Sequence, residues 1–178
     1  SAATEGFAEG SITVEMGGAS TTGVVITQTD RFARLTPIIF RNAAQLIREE
    51  RVRTFPGRLG PVEVHRMPLG PALCIAPWNA PTVIASHKVA SALAAGCPTI
   101  LKPSEWAPHT AAILAEAIHA SDLPPGAFQL IHGRGDVGAR LTDDERIRSV
   151  SFTGGQGGGR AVAVSCARQL KPAQLELG

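Results

Sequence analysis

Two glycine-rich stretches carry the first chemical signal in this sequence: HGRGDVG at 132–138 and FTGGQGGGR at 152–160. A glycine turn that opens a helix can press successive backbone N–H groups against a phosphate, and the helix dipole favours the negative charge. Glycine also simply makes tight turns, so these stretches alone leave a phosphate site and a plain loop equally open. Beside them stand APWNAP at 76–81, KPSEWAP at 102–108 and, in LELG at 175–178, a carboxylate in an alternating run. Each has an ordinary reading. Asn79 can cap the next helix or turn, Lys102 and Glu105 can be a solvated loop pair, Trp78 and the prolines can be core or turn residues, and Glu176 can face outward with no role. Cys74, Cys97 and Cys166 are isolated and odd in number, which suits neither a disulfide framework nor a zinc site with paired ligands, and points to a reducing compartment.

The elements that must position these residues are legible from Ala72 onward. ALCIAP, PTILK, AFQLI, RSVSFTG and AQLEL are short apolar or alternating strands. Between them lie helical stretches over 82–95 (ended by Gly96), 110–120, DVGARLTDD at 136–144, and 159–169. Strands alternating with helices across short loops predict an α/β fold: a Rossmann-like parallel sheet with helices on both faces. AQLEL reads as its last, buried strand. In such sheets ligands bind where strands end and helices begin, which is where all the stretches above fall.

Before Ala72, apolar residues recur at Phe32, Leu35, Ile39, Leu46 and Ile47, a helix with Asp30 as its cap and Pro37 as a kink. RTFPGRLGP breaks the chain, and VEVHRMP alternates like one arm of a small hairpin. The first residues, with Gly17, Gly18 and Gly23 among short β-branched runs, read as weakly structured. The expected organisation is a weakly structured segment over 1–30 and a single cofactor-type domain over 31–178.

Composition narrows the function. With 44% hydrophobic and 18% charged residues, the 178-residue chain can bury a sizeable core as a soluble protein. A net charge of +2 and 4% aromatic residues, with no basic stripe among stacking rings, argue against a nucleic-acid partner. The opening SAATEGFAEG lacks the basic start and apolar core of a signal peptide, and apolar runs stop short of a membrane span. A cytoplasmic protein is expected.

Five motifs in order, IAPWNAP, AAGCPTILKPSEWAPHT, LPPGAFQLIHGRG, SVSFTGG…GR and LKPAQLELG, resemble the cofactor domain of the aldehyde dehydrogenase superfamily at nearly its usual spacing. The resemblance is strong over 67–178 and runs more weakly back to about Glu15. PWNAP and the earlier RTFPGR are most similar to salicylaldehyde- and vanillin-dehydrogenase-like members. It implies that Asn79 is the amide that stabilises an oxyanion and that Glu176 is the general base that activates water. It implies too that Lys102 and Glu105 hold the adenosine ribose, a carboxylate there favouring NAD over NADP. Pro77, Trp78 and Gly133 would wall the cofactor groove, and Gly154 and Gly155 would face the pyrophosphate.

The sequence departs from the family pattern in two places. The family's nucleophilic cysteine lies beyond LELGG in a separate domain, and none of the three cysteines here sits in such a motif. The usual FTGS is FTGG, so Gly155 stands where a phosphate-binding hydroxyl is usual, and HGRGDVG reads one residue short. The expectation is a truncated relative with a weakened NAD groove that does not oxidise aldehydes by itself. It self-associates through the helix after Gly159 because loss of a domain would leave apolar sheet exposed. Two alternatives stand beside it. One is a scaffold repurposed for cyclisation, isomerisation or proton transfer on an apolar small molecule, in a groove between PWNAP, HGRG and Glu176, with Asn79 as donor and Glu176, His87 or His132 as acid or base. The other is a non-catalytic partner of a full-length dehydrogenase.

Overall fold

The computed structural model describes the backbone of residues 15–16, 19–20, 22–48 and 52–178, and side chains over 32–48 and 52–178. The weakly structured reading of 1–14, Gly17 and Gly18 lies outside those residues. Two short strands, β1 (Glu15–Met16) and β2 (Ala19–Ser20), pair antiparallel. Helix α1 then runs Thr22–Leu46 with Pro37 inside it. It starts well before the apolar periodicity predicts, so Asp30 lies within the helix and does not cap it. Strands β3 (Val52–Phe55) and β4 (Val62–His65) form the expected hairpin, exposed along both strands.

The rest alternates strand and helix: β5 (Ala72–Ala76), α2 (Pro81–Ala94), β6 (Thr99–Pro103), α3 (Pro108–His119), β7 (Phe128–Leu130), α4 (Gly135–Asp143), β8 (Ser149–Gly154), α5 (Gln156–Arg168) and β9 (Ala173–Leu177). Pro81 and Pro108 open α2 and α3, where a missing N–H costs nothing. Gly96, at φ 84°, ends α2 by turning the chain left-handed while the Gly96 and Cys97 N–H groups donate to the carbonyls of Leu93 and Ala92.

The five sheet strands are all parallel, in the order β7-β6-β5-β8-β9. Central β5 is buried at every position, as a parallel strand covered on both faces must be. Cys74, Leu101 and Phe128 pack on one face with Ala85 and Val89 of α2 and Leu114 and Ile118 of α3. Leu73, Ile75, Val150 and Phe152 pack on the other with Val162 and Cys166 of α5. Burying a side chain such as Leu73 or Leu101, both fully enclosed, contributes about 2 kcal/mol. The order reverses between β5 and β8, the switch point at which such sheets leave a crevice.

One strand differs from the sequence reading. β9 is mostly exposed. It is the sheet's edge, and only α5 covers it: Leu175 joins the core on that side. Its other face carries the exposed Gln174 and Glu176 beside the half-buried Ser151 and Thr153, and opens on a groove that Ile84, Ala92 and Val150 also line.

Candidate active site

Because all five strands run the same way, the singled-out residues gather at the sheet's C-terminal end. Pro77, Trp78 and Asn79 follow β5; Lys102 and Glu105 close β6; Gly133 follows β7; Gly154 and Gly155 join β8 to α5; Glu176 lies near the end of β9. Strand alternation then divides them between two faces. Ile75, Lys102, Phe152 and Leu175 belong to one face, that of α4 and α5, and Cys74, Leu101, Ser151, Gln174 and Glu176 to the face of α2.

On the α4–α5 face, Lys102 is only 4% exposed. Its stem lies against the first turns of α4, where a Cβ on Gly138 would sit 3.8 Å from Lys102 Cδ. Its ammonium is 4.0 Å from Glu105 Oε2. Burial pulls the Lys102 pKa below its ordinary value, against the opposing pull of Glu105 and Asp136. A lysine held this way is no solvated loop residue. Gly133, at φ 156°, brings the chain so close to α4 that a Cβ would overlap the branched end of Val137.

The start of α5 is equally specific. Gly155 is its N-cap in extended backbone with no side-chain cap, leaving the first N–H groups of a 13-residue helix without a side-chain partner. The glycines here divide in two. A Cβ on Gly154 or Gly158 would come within 2.8 or 2.9 Å of the Phe152 ring, whereas Gly155 and Gly157 face open space. The ring of Phe152 therefore requires two of these glycines, and the other two leave the helix start accessible.

Trp78 is 63% exposed, so it is not core. Asn79 is exposed in the loop before α2. That helix has Ala80 at its N-cap and no side-chain cap, so capping does not account for Asn79.

Glu176 faces a groove of about 790 Å³ between α2 and the β8–β9 edge, lined also by His87, Lys88, Ser151 and Gln174. The sequence placed this groove between PWNAP and HGRG; neither loop lines it, and His132 is not part of it. The correction follows from α2, which flanks the groove with its own His87 and Lys88. Lys88 Nζ donates to Ser151 Oγ at 2.8 Å, and Ser151 Oγ donates to Gln174 Oε1 at 3.2 Å. Burial lowers the Lys88 pKa, while Cys74 and Glu176 act to raise it. Sequence reasoning missed Lys88, although a lysine among the buried residues of an Ala-rich helix was a usable signal.

None of the three cysteines is poised as a nucleophile. All are buried. Burial pushes the Cys74 thiol up to about 12 and raises Cys166 as well, and a thiol is far less reactive than a thiolate. Native protein at pH 8 is expected to take up no iodoacetamide within minutes and three equivalents once denatured, as read by intact mass; rapid labelling of one native cysteine would contradict this.

A doubly wound parallel sheet with a glycine turn and an uncapped helix at its switch point, and a buried lysine beside a carboxylate on the next strand, defines a Rossmann-type nucleotide-binding domain. The chain belongs to the aldehyde dehydrogenase family, whose pattern matches residues 11–178. It is 41% identical over 115 residues to a geranial dehydrogenase of Castellaniella defragrans, covering 65% of this chain and 24% of that protein. It is 42% identical over 140 residues to a 3-succinoylsemialdehyde-pyridine dehydrogenase of a Pseudomonas species, covering 78% and 29%. Among solved structures, an NAD-dependent aldehyde dehydrogenase from Sinorhizobium meliloti superposes with a TM-score of 0.81 at 32% identity, over 86% of this chain and 31% of the other. A betaine aldehyde dehydrogenase from Staphylococcus aureus solved with NAD+ gives 0.78 at 30% identity, over 85% and 30%. The chain thus spans about a quarter to a third of the length of these relatives. No helix among the described residues is long and apolar enough to cross a membrane.

Proposed function

We propose that these residues form the NAD-binding portion of an NAD-dependent aldehyde dehydrogenase. The observation that carries the reading is the buried Lys102 beside Glu105 at the end of β6. It suits the vicinal hydroxyls of a ribose, which can accept from the ammonium and donate to the carboxylate. The open N-terminus of α5 at Gly154 and Gly155 suits a pyrophosphate. Pro77, Trp78 and Gly133 wall the groove between the two. NAD, when bound, supplies the hydride acceptor.

Asn79 donates its amide N–H to the carbonyl oxygen of the substrate as negative charge builds there. Glu176 takes the proton from the water that attacks the acyl group. Lys88 lines the same groove as Glu176, and its ammonium donates to Ser151 there. The cysteines of this chain do not serve as the acyl carrier, so the nucleophile comes from outside these residues. Calorimetry is expected to give an NAD dissociation constant below about 1 mM, and no heat at several millimolar NAD would sink the reading.

The same reading makes the protein a homo-oligomer through α5. That helix exposes Ala161, Val164 and Ala167 at three-residue spacing, an apolar stripe that self-association would cover. Sedimentation should report at least the dimer mass, and a monomer mass that does not change with concentration would oppose it.

A further inference from the structure

Three carbonyl oxygens at the end of α4 are taken up by the segment that joins α5 to β9. Lys171 Nζ donates to the carbonyls of Thr142 and Asp144, at 2.7 Å each, and Gln169 Nε2 donates to the carbonyl of Asp143 at 3.2 Å. These are acceptors that a helix end leaves without partners of its own. The chain turns sharply to bring Lys171 there. Leu170 stands in the left-handed region, at φ 54°, with its side chain 92% exposed. Packing therefore does not account for a conformation that glycine would adopt at lower cost. The N–H groups of Leu170 and Lys171 donate back to the carbonyls of Ala167 and Cys166, which closes α5 and returns the lysine toward α4.

A lysine at a helix end can be present for stability alone, since the free carbonyls and the helix dipole both attract a cation. α4 gives this one more to do. The helix has nine residues, its buried positions are Gly138 and Thr142, and Leu141 is the side chain it adds to the core. A helix with so little apolar anchorage depends on its polar ties for its seat. Those ties run in series. Lys171 holds the Thr142 carbonyl, and the Thr142 hydroxyl donates to the Gly138 carbonyl at 2.8 Å. Gly138 is the position whose Cβ would lie 3.8 Å from Lys102 Cδ.

We propose that Lys171 is a positioning residue of the nucleotide groove, holding α4 by its C-terminal end so that the helix keeps Lys102 in place at the end of β6. The inference rests on the NAD reading above and adds to it a residue that acts through α4.

Calorimetry on the whole chain, below the melting transition, compares NAD binding by the unmodified protein with three variants. Lys171→Met keeps the methylenes and removes the donors, and Lys171→Arg keeps charge and donors. Ile118→Val, a core change on the opposite face of the sheet, controls for a general loss of stability. Lys171→Gln, which retains an amide donor, replaces the methionine variant if that one does not fold. Hydrogen exchange on the same proteins reads α4 directly. The expected result is NAD bound about fivefold more weakly by Lys171→Met, with faster exchange across α4 and none of that change in α2 or α3. Lys171→Arg and Ile118→Val should bind within about twofold of the parent. Unchanged affinity in Lys171→Met overturns the proposal, as does equal weakening in either of the other two or exchange that rises equally in every helix; each leaves the NAD reading standing. If the unmodified chain binds no NAD, both fall together.

Discussion

Lys102→Met is expected to weaken NAD binding about thirtyfold while leaving the protein folded. The side chain has two parts with different duties. Its methylenes are packed beside Gly138 and Ile75, and methionine keeps nearly that shape. On the proposed reading its ammonium donates to the ribose, and a hydrogen bond from a charged group contributes about 2 kcal/mol, which is the thirtyfold. Stability should not fall, because burial already disfavours the charge: the Lys102 pKa lies below its ordinary value. The folded state therefore releases this proton at a lower pH than the unfolded chain does. The charged form weighs against folding at neutral pH, and that penalty is relieved as pH rises from the folded pKa toward the unfolded value of 10.5. NAD affinity should decline over the same alkaline range in the parent and stay flat in the variant. Titration by calorimetry beside thermal melts checks both halves, and an unchanged NAD affinity would remove Lys102 from the site.

Gly133→Ala is expected to lower stability by about 3 kcal/mol and to weaken NAD as well. The added methyl would overlap the branched end of Val137 and come within 2.7 Å of its Cβ. A β-branched side chain fixed in a helix has no free rotamer to offer, so the backbone must give. The backbone angle of 156° adds strain of its own, and each effect is worth about 1–3 kcal/mol. Relief comes only by moving the loop or α4, which carries Gly138 against Lys102. Urea denaturation measures the loss, and a drop under about 1 kcal/mol would mean that the loop and α4 part without cost.

Much of this architecture was legible because its signals are local. Apolar strands alternating with helices across short loops gave the parallel sheet, and Gly96 marked the end of α2 to within a residue or two. The strand-end motifs placed Lys102, Glu105, Gly154 and Gly155 where the sheet gathers them. What escaped depends on long-range geometry. β9 alternates like any half-buried strand, and only its place at the edge leaves it exposed. Lys88 meets Ser151 across 63 positions of sequence, a pairing no short motif encodes. Phe152 explains Gly154 and Gly158 because its ring folds back over the turn, which spacing alone could not reveal. α1 begins early because its first turns lack the apolar periodicity by which helices are read.

Lys102 and Glu176 stand on opposite faces of one sheet, and that arrangement makes the sheet a bulkhead. On the proposed reading, the cofactor would lie on the Lys102 side of the sheet and the attacking water in the groove on the Glu176 side, with the strand ends as the rim between them. On that reading, Glu105 can be changed without touching the groove around Glu176. A change in the Lys88–Ser151–Gln174 chain alters the groove that Glu176 faces and leaves the Lys102 side of the sheet as it was.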